Sequence, residues 1–305
     1  MAIGDSTSTF TPPRHSYWAD GTVVGFLTDA TLCIGCKACE VACKEWNGLP
    51  AEEPVFTGHS YDNTGSLGAS TWRHVKFLEL DRPRGTQVAG EEPFSWIFLS
   101  DVCKHCEEAG CLEACPTGAI VRTPVGSVLV QDDVCNGCGY CVVGCPFGVV
   151  DRRPAAPPPA PRQAAGPVAP WRPRASARPR LPGAGGAFKC TFCYDRQASG
   201  LTPACAQVCP TGSILFGPLD ALRERASARI DELRARGYED ARLYDPRDTS
   251  VGGTHALSIL LGSPREYGLP ERPEVPTVHQ PVAWSAATWT AMAAIVGALA
   301  AFLLP

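Results

Sequence analysis

The 305-residue chain is 45% hydrophobic and 8% aromatic, which is enough apolar material to bury a core and excludes a disordered chain. Its formal net charge of −4, with both signs spread along the chain, gives no basic surface for nucleic acid, and we expect no nucleic-acid partner. The unusual feature is a set of 16 cysteines beside 29 prolines and 30 glycines.

All the cysteines fall into four runs. Each run opens with a C-x2-C pair, continues after a variable gap to a third cysteine, and closes on a fourth with three residues between. In three runs the last cysteine precedes a proline, as in the bacterial ferredoxin signature, whereas Cys43 precedes Lys44. The runs are Cys33, Cys36, Cys39 and Cys43; Cys103, Cys106, Cys111 and Cys115; Cys135, Cys138, Cys141 and Cys145; and Cys190, Cys193, Cys205 and Cys209.

Two other uses of cysteine fit this pattern less well. A disulfide framework spreads its cysteines across distant loops, and thiols separated by two residues rarely reach disulfide geometry. Zinc ribbons use pairs of C-x2-C knuckles, whereas these runs each place three cysteines together and a fourth beyond. Sixteen thiols at four per cluster therefore predict four [4Fe–4S] clusters.

Residues inside the runs fit cluster binding. Gly35 and Gly137 allow the backbone to approach a cluster closely and to aim N–H groups at its sulfurs. Each cluster with its thiolates is a net anion, so nearby cations help to set its potential, although ordinary solvated surface charge is the alternative interpretation. The candidate cations are Lys37, Lys44, Lys104, Lys189 and Arg196.

An internal repeat indicates two related ferredoxin-like units. The sequence CPTGAI at 115–120 recurs as CPTGSI at 209–214. Between the second and third runs, two β-branched stretches flank a turn, which predicts a local strand–turn–strand and one dicluster unit from these two runs. The first and fourth runs then form the other unit, and the unit of the second and third runs is inserted in it. Spacing alone is also compatible with pairing run one with two and three with four.

The segment 152–186 is Pro, Ala, Arg and Gly with almost no large apolar residue, which predicts a mobile insertion. A solvated linker and a docking arm for an acidic partner are both compatible with its arginines.

Beyond the last run, the sequence predicts a helix and then a strand. Residues 217–237 carry Leu222, Ala226, Ile230 and Leu233 on one stripe, which is typical of a surface helix. The segment that starts at residue 251 reads as a glycine-led apolar strand.

The C-terminal segment from Val282 to Pro305 contains no charged residue and is long enough to cross a bilayer as a helix. Trp284 and Trp289 lie toward one end, where an interfacial aromatic belt would place them. A buried helix of a soluble protein is the alternative, because the segment is rich in alanine. We expect a single-pass membrane anchor.

Several motifs together resemble the four-cluster iron–sulfur subunit of membrane-bound respiratory formate dehydrogenase. The resemblance covers nearly the whole chain except the insertion at 152–186. The motifs are CIGCKACEVACKEWN, HCEEAGCLEACPTGAI, CNGCGYCVVGCPFG, CTFC with ACAQVCPTGSILFG, and LYDP followed by VGGTH and YGLP.

The resemblance implies an α+β fold of two ferredoxin-like dicluster units, one inserted in the other, plus a C-terminal transmembrane helix. The expected domains are 1–100 with 187–250, the inserted unit 101–151, the insertion 152–186, an extended connecting segment 251–281, and the anchor 282–305. It also implies that each fourth ligand crosses to the partner run of its unit. The implied ligand sets are Cys33, Cys36, Cys39 with Cys209; Cys190, Cys193, Cys205 with Cys43; Cys103, Cys106, Cys111 with Cys145; and Cys135, Cys138, Cys141 with Cys115.

The resemblance further implies a non-catalytic electron-transfer subunit, and the sequence carries no nucleophile–base, nucleotide or flavin motif. The implied partners are a molybdenum or tungsten pterin catalytic subunit that oxidises formate and a membrane cytochrome b that reduces quinone. The cluster domain is then expected outside the cytoplasm by co-export with the catalytic subunit. Equivalent subunits of a hydrogenase or of a sulfoxide or sulfur-compound reductase, a zinc scaffold and a soluble ferredoxin-like carrier remain as alternatives.

Overall fold

The computed structural model describes residues 21–51, 58, 62, 64–80, 95–153 and 185–303. These residues form a mixed helix and strand fold, as the α+β class predicts. The strands are β1 (Val24–Asp29), β2 (Arg73–Leu80), β3 (Ser95–Val102), β4 (Ile120–Arg122), β5 (Val128–Val130), β6 (Asp151–Arg152), β7 (Ala187–Phe188), β8 (Ile214–Pro218), β9 (Ala241–Tyr244) and β10 (Ala256–Leu261). The helices are α1 (Ala38–Trp46), α2 (Gly110–Glu113), α3 (Tyr140–Val143), α4 (Tyr194–Ala198), α5 (Ala204–Gln207), α6 (Leu219–Ala235) and α7 (Gln280–Leu303).

A four-stranded sheet joins distant parts of the chain in the order β8-β1-β10-β9. The strands β1 and β10 pair in parallel with Phe26 opposite Ala256, and the two outer strands pair antiparallel to them. Every residue of β1 is buried, as is typical of a central strand covered on both faces. The expected apolar strand is β10, so the segment 251–281 contributes a central strand of this sheet together with short 3₁₀ helices at Pro264–Tyr267 and Pro276–His279.

The helix α6 covers one face of this sheet and confirms the predicted amphipathic pattern. Its buried residues are Leu219, Leu222, Ala226, Ile230 and Leu233, which pack in one apolar cluster with residues of β1, β9 and β10. Gly237 follows the helix in a left-handed conformation (φ 93°). Its N–H donates to the carbonyl of Arg234, so glycine ends the helix by satisfying a terminal carbonyl.

Hairpins and short helices surround the cysteine runs. The expected strand–turn–strand between the second and third runs is present as the antiparallel pair β4–β5. The helix α1 packs against α5, and α2 packs against α3. The strand β6 pairs with β7, which holds together the two chain ends flanking the insertion. Residues 154–184 of that insertion lie outside the described residues, so its expected mobility stays a prediction.

The C-terminal helix α7 is the one helix among the described residues that is long and apolar enough to span a membrane. The candidate span Pro276–Leu299 has a mean hydropathy of 1.5, and none of its hydrophobic window is buried against the rest of the chain. Large apolar side chains such as Trp284, Trp289 and Phe302 are exposed on it. A buried soluble helix is therefore a poor description of α7, and its composition and exposure fit a membrane anchor.

Candidate functional site

The fold brings the cysteines together in groups of four that mix residues from two runs. Three cavities are each lined by four cysteines, as expected if each binds the same kind of group. We call these groups set A (Cys33, Cys36, Cys39, Cys209), set C (Cys103, Cys106, Cys111, Cys145) and set D (Cys115, Cys135, Cys138, Cys141).

The remaining four cysteines form set B, which consists of Cys43, Cys190, Cys193 and Cys205. All four are buried. Burial, followed by the charges of Cys190, Cys205 and Cys193, raises the pKa of the Cys43 thiol well above its usual range. Mutual electrostatic effects of this kind require the thiols to be neighbours.

The four sets follow one another through the molecule in the order A, B, C, D. Cys39 of set A and Cys205 of set B are neighbours. Burial raises the pKa of Cys39, and the charge of Cys205 raises it further, which requires the two sulfurs to be close. Cys190 of set B lies near Cys103 of set C for the same reason. Cys111 of set C packs in one apolar cluster with Cys141 of set D. The sets therefore form a continuous series of sulfur-lined sites.

All four C-x2-C loops share one backbone feature. The residue just before the second cysteine of each run is left-handed, with φ values of 67° at Gly35, 44° at His105, 73° at Gly137 and 59° at Phe192. For the two residues that carry a side chain this conformation costs about 1–2 kcal/mol each. The rings of His105 and Phe192 pack against each other at an interplanar angle of 51°, with centroids 3.9 Å apart, which offsets part of that cost. Alignment of the four runs exposes the shared position.

Backbone and side-chain N–H groups donate hydrogen bonds to several of the cysteine sulfurs. The amide of Phe192 donates to Cys190 Sγ at 3.3 Å, and that of Ala187 donates to Cys135 Sγ at 3.5 Å. The side-chain amide of Asn47 donates to Cys43 Sγ at 3.7 Å. Such donors stabilise sulfur that carries negative charge, which is a recurrent property of iron–sulfur sites.

Buried cations lie near the cysteine sets, and the sequence predicted some of them. Lys189 is 2% exposed and donates to the carbonyl of Cys190 at 3.3 Å. Lys104 is equally buried, but it pairs with Asp101. Arg196 stacks on Trp46 at 4.2 Å. Arg73 donates to Cys205 Sγ at 3.4 Å. Nothing in the sequence indicated this contact, because Arg73 lies 30 residues from both Cys43 and Cys103.

Lys37 and Lys44 occupy more accessible positions near the first run. The ammonium group of Lys37 lies 3.4 Å from Asp62 and 5.4 Å from the centre of the Phe77 ring. Its charge is thus shared with a carboxylate rather than directed at sulfur alone. Lys44 lies in the last turn of α1, where a cation favours the negative end of the helix dipole.

Burial favours the protonated form of several thiols in the free chain. Burial raises the pKa of Cys141 to about 11 and that of Cys111 to about 12. An apolar site that disfavours free thiolate stabilises the deprotonated sulfur only when a metal group shares its charge. Within the part of the chain described, no three His, Cys, Asp or Glu side chains are grouped as a mononuclear metal site. The donor set of four thiols fits a [4Fe–4S] cluster, which needs four thiolate ligands.

Comparisons with known proteins agree with this geometry. Two family models described as 4Fe-4S dicluster domain match the chain, one at residues 94–156 and 180–219 and the other at residues 32–119. The formate dehydrogenase-O iron-sulfur subunit of Escherichia coli (strain K12) is 38% identical over 277 residues, which cover 89% of this chain and 78% of the relative.

The protein belongs to the family of formate dehydrogenase iron–sulfur subunits. The nitrate-inducible formate dehydrogenase iron-sulfur subunit of the same organism is also 38% identical, over 89% of this chain and 80% of the relative. The B subunit of anaerobic dimethyl sulfoxide reductase from Escherichia coli (strain K12) is 32% identical over 67% of this chain and 78% of its own length. Members of the family are electron-transfer subunits with [4Fe–4S] clusters, and the cysteine sets are the part of this chain suited to that function.

Proposed function

We propose that this protein is the electron-transfer subunit of a formate dehydrogenase complex and that sets A to D each hold one [4Fe–4S] cluster, four in all. The observation that carries the proposal is the grouping of all 16 cysteines into four buried or partly buried sets of four. Bound clusters supply one-electron redox centres, while the chain contributes sulfur ligands, hydrogen bonds and nearby charge.

The ligand sets support two dicluster units, one inserted in the other. Set A and set B draw on the first and fourth runs, and set C and set D draw on the second and third. Each set takes three cysteines from one run and its fourth from the other run of the unit. The packing of α1 on α5 and of α2 on α3 has the same pairing. We infer that residues 101–151 form the inserted unit and that 1–100 with 187–250 form the surrounding unit.

The two ends of the series have surfaces suited to electron entry and exit. Cys36 in set A and Cys138 in set D are the two exposed cysteines of the sixteen. Exposed apolar side chains lie beside each of them in the sequence, with Ile34 59% exposed near Cys36 and Tyr140 61% exposed near Cys138. Contiguous exposed apolar residues are typical of protein interaction sites. We infer a partner subunit at each end.

The position of the anchor supports an assignment of the two ends. The 3₁₀ helix Pro276–His279, which leads directly into α7, packs against α2 next to set C, and Thr277 hydrogen-bonds to Glu113 of α2. The end of the series that carries set C and set D is therefore the membrane end, where a cytochrome b subunit accepts electrons for quinone reduction. The end that carries set A faces the molybdenum or tungsten pterin subunit that oxidises formate.

The anchor α7 and the family together support attachment to the cell membrane by a single pass. We propose that the cluster domain lies outside the cytoplasm and reaches that side by co-export with the catalytic subunit. The ends of the insertion at 152–186 are joined by the pairing of β6 with β7.

One other function has a specific observation in its favour. The similarity to the B subunit of anaerobic dimethyl sulfoxide reductase fits an equivalent subunit that delivers electrons to a reductase. The higher identity and wider coverage of the formate dehydrogenase relatives favour formate as the electron donor.

Purification of the native complex under anaerobic conditions tests the proposal. We expect about sixteen non-haem irons and as much inorganic sulfide per chain, a copurifying pterin subunit, and cluster reduction on addition of formate. Reduction by hydrogen or oxidation by dimethyl sulfoxide, with no response to formate, would transfer the subunit to one of the alternative complexes. Zinc in place of iron would exclude electron transfer altogether.

A further inference from the structure

Arg73 begins strand β2 and lies in the interior between set A and set B. It is 1% exposed, and one terminal nitrogen donates to Cys205 Sγ of set B at 3.4 Å. The other terminal nitrogen donates at 3.2 Å to both the carbonyl and the hydroxyl oxygen of Ser100. That hydroxyl lies 3.2 Å from Cys39 Sγ of set A. One guanidinium therefore contacts set B directly and set A through a single hydroxyl.

No carboxylate among the described residues forms an ion pair with Arg73, and its Nε has no hydrogen-bond partner there. The ring of Phe26 lies 4.8 Å from the guanidinium carbon and supplies weak attraction only. A buried guanidinium without compensating negative charge would be very unfavourable. The charges available to compensate it are the cysteine sulfurs of the two sets.

Lys104 provides a contrast inside the same molecule. It is as deeply buried as Arg73, yet it forms an ion pair with Asp101, a carboxylate that it shares with Lys76 at 2.9 Å. The field of Lys104 at the sulfurs is thereby reduced, whereas the field of Arg73 is directed at them. A cluster gains one negative charge on reduction, so a neighbouring positive charge stabilises the reduced form more than the oxidised form.

We propose that the positive charge of Arg73 raises the reduction potentials of the two clusters held by set A and set B. The inference rests on the proposed function, because it requires clusters in both sets. Arg73 keeps the pair reducible at the point where electrons enter the series, and Ser100 extends its effect to set A. Arg73 acts on the reduction potential and is not a ligand, because it donates a hydrogen bond to a cysteine sulfur while the thiolates bind the iron.

Redox titration of the intact complex, followed by electron paramagnetic resonance, tests the inference with three variants. Arg73→Met removes the charge, Arg73→Lys retains it, and Arg234→Met is the control, because Arg234 donates to the Ala241 carbonyl and contacts no cysteine. Iron and sulfide are counted on every sample. A wild-type complex without cluster iron would contradict the proposed function itself, independently of Arg73.

In iron-replete Arg73→Met we expect two of the cluster signals to titrate at lower potential. At the wild-type midpoint their reduced-to-oxidised ratio should fall about tenfold, which corresponds to 59 mV for a one-electron couple. Arg73→Lys should recover most of the shift, and Arg234→Met should show none. Unchanged midpoints in Arg73→Met, or an equal shift in Arg73→Lys, would overturn the inference. If Arg73→Met loses iron, Arg73→Gln replaces it, and iron loss in both variants assigns Arg73 a structural role only and also overturns it.

Discussion

Substitution of Gly137 by alanine tests how closely the backbone surrounds set D. Gly137 lies between Cys135 and Cys138 with φ 73°, and a Cβ there would lie 2.3 Å from the carbonyl oxygen of Gly185. Gly118, which follows Cys115 of the same set, has nearly the same φ of 66° but no atom within 4 Å of such a Cβ. The two glycines thus share the conformational cost of alanine and differ in the steric one.

The expected magnitudes follow from these two terms. The left-handed conformation costs about 1–2 kcal/mol for alanine at either position. The contact with Gly185 adds about 1–3 kcal/mol, typical of overpacking. That segment is held in place because the Gly185 N–H donates to the Arg153 carbonyl and the Arg153 N–H donates to the Gly186 carbonyl. Moving it would also withdraw the Ala187 amide from Cys135 Sγ. The extra term corresponds to an opening of set D that is roughly 5 to 150 times more frequent in Gly137→Ala than in Gly118→Ala.

The assay is the rate of iron release to a ferrous chelator from the intact anaerobic complex. We expect Gly137→Ala to release about a quarter of its iron in a fast phase, at a rate exceeding that of Gly118→Ala by the ratio above, while the remaining iron behaves as in the wild type. Equal release rates in the two variants would refute the view that backbone contact at Gly185 holds set D closed.

Three further predictions concern stability and attachment. In iron-free protein, stability to urea should be full below pH 9 and decline as pH rises toward 11, because burial raises the pKa of Cys39 from 9.0 to about 11 and the folded state holds the proton more tightly. The iron-loaded form should lack this decline, and a flat profile in the iron-free form would count against the prediction. Leu222→Ala should lower the free energy of unfolding by about 2–5 kcal/mol, because the side chain is 2% exposed, whereas the exposed Glu224→Ala should change it by under about 0.5 kcal/mol; similar losses in both would contradict the packing of α6. Removal of Gln280–Leu303 should move the separately expressed chain from the membrane fraction to the soluble fraction, and continued membrane association would argue against α7 as the anchor.

Much of the site could be predicted from the sequence because cluster ligation constrains local spacing. The C-x2-C pairs and the repeated CPTG segments identify the runs, and the 3.6-residue pattern identifies α6. The sheet order could not be predicted, since β1 and β10 pair across more than 200 residues and nothing local specifies that neighbour. Pairing of the runs likewise depends on tertiary packing, which spacing alone left open.

The electrostatic environment of the sets was predictable only where charge lies beside a cysteine. Lys104 and Lys189 adjoin Cys103 and Cys190 in the sequence, but only the structure shows that Lys104 pairs with a carboxylate whereas Lys189 donates to backbone carbonyls. Arg73 carries no sequence signal at all, because its contact with Cys205 depends on how β2 packs against the fourth run. Whether a charged side chain is buried depends on tertiary packing, so it could not be predicted from the sequence.

The central claim is that electrons pass in series through all four sets, and interruption of the last one tests it directly. In a complex carrying Cys141→Ser, formate should still reduce the clusters of sets A, B and C and an artificial dye at the catalytic subunit, whereas quinone reduction should fall at least about tenfold because the membrane end is disconnected. Quinone reduction at the wild-type rate, in protein shown to lack the cluster of set D, would contradict the account.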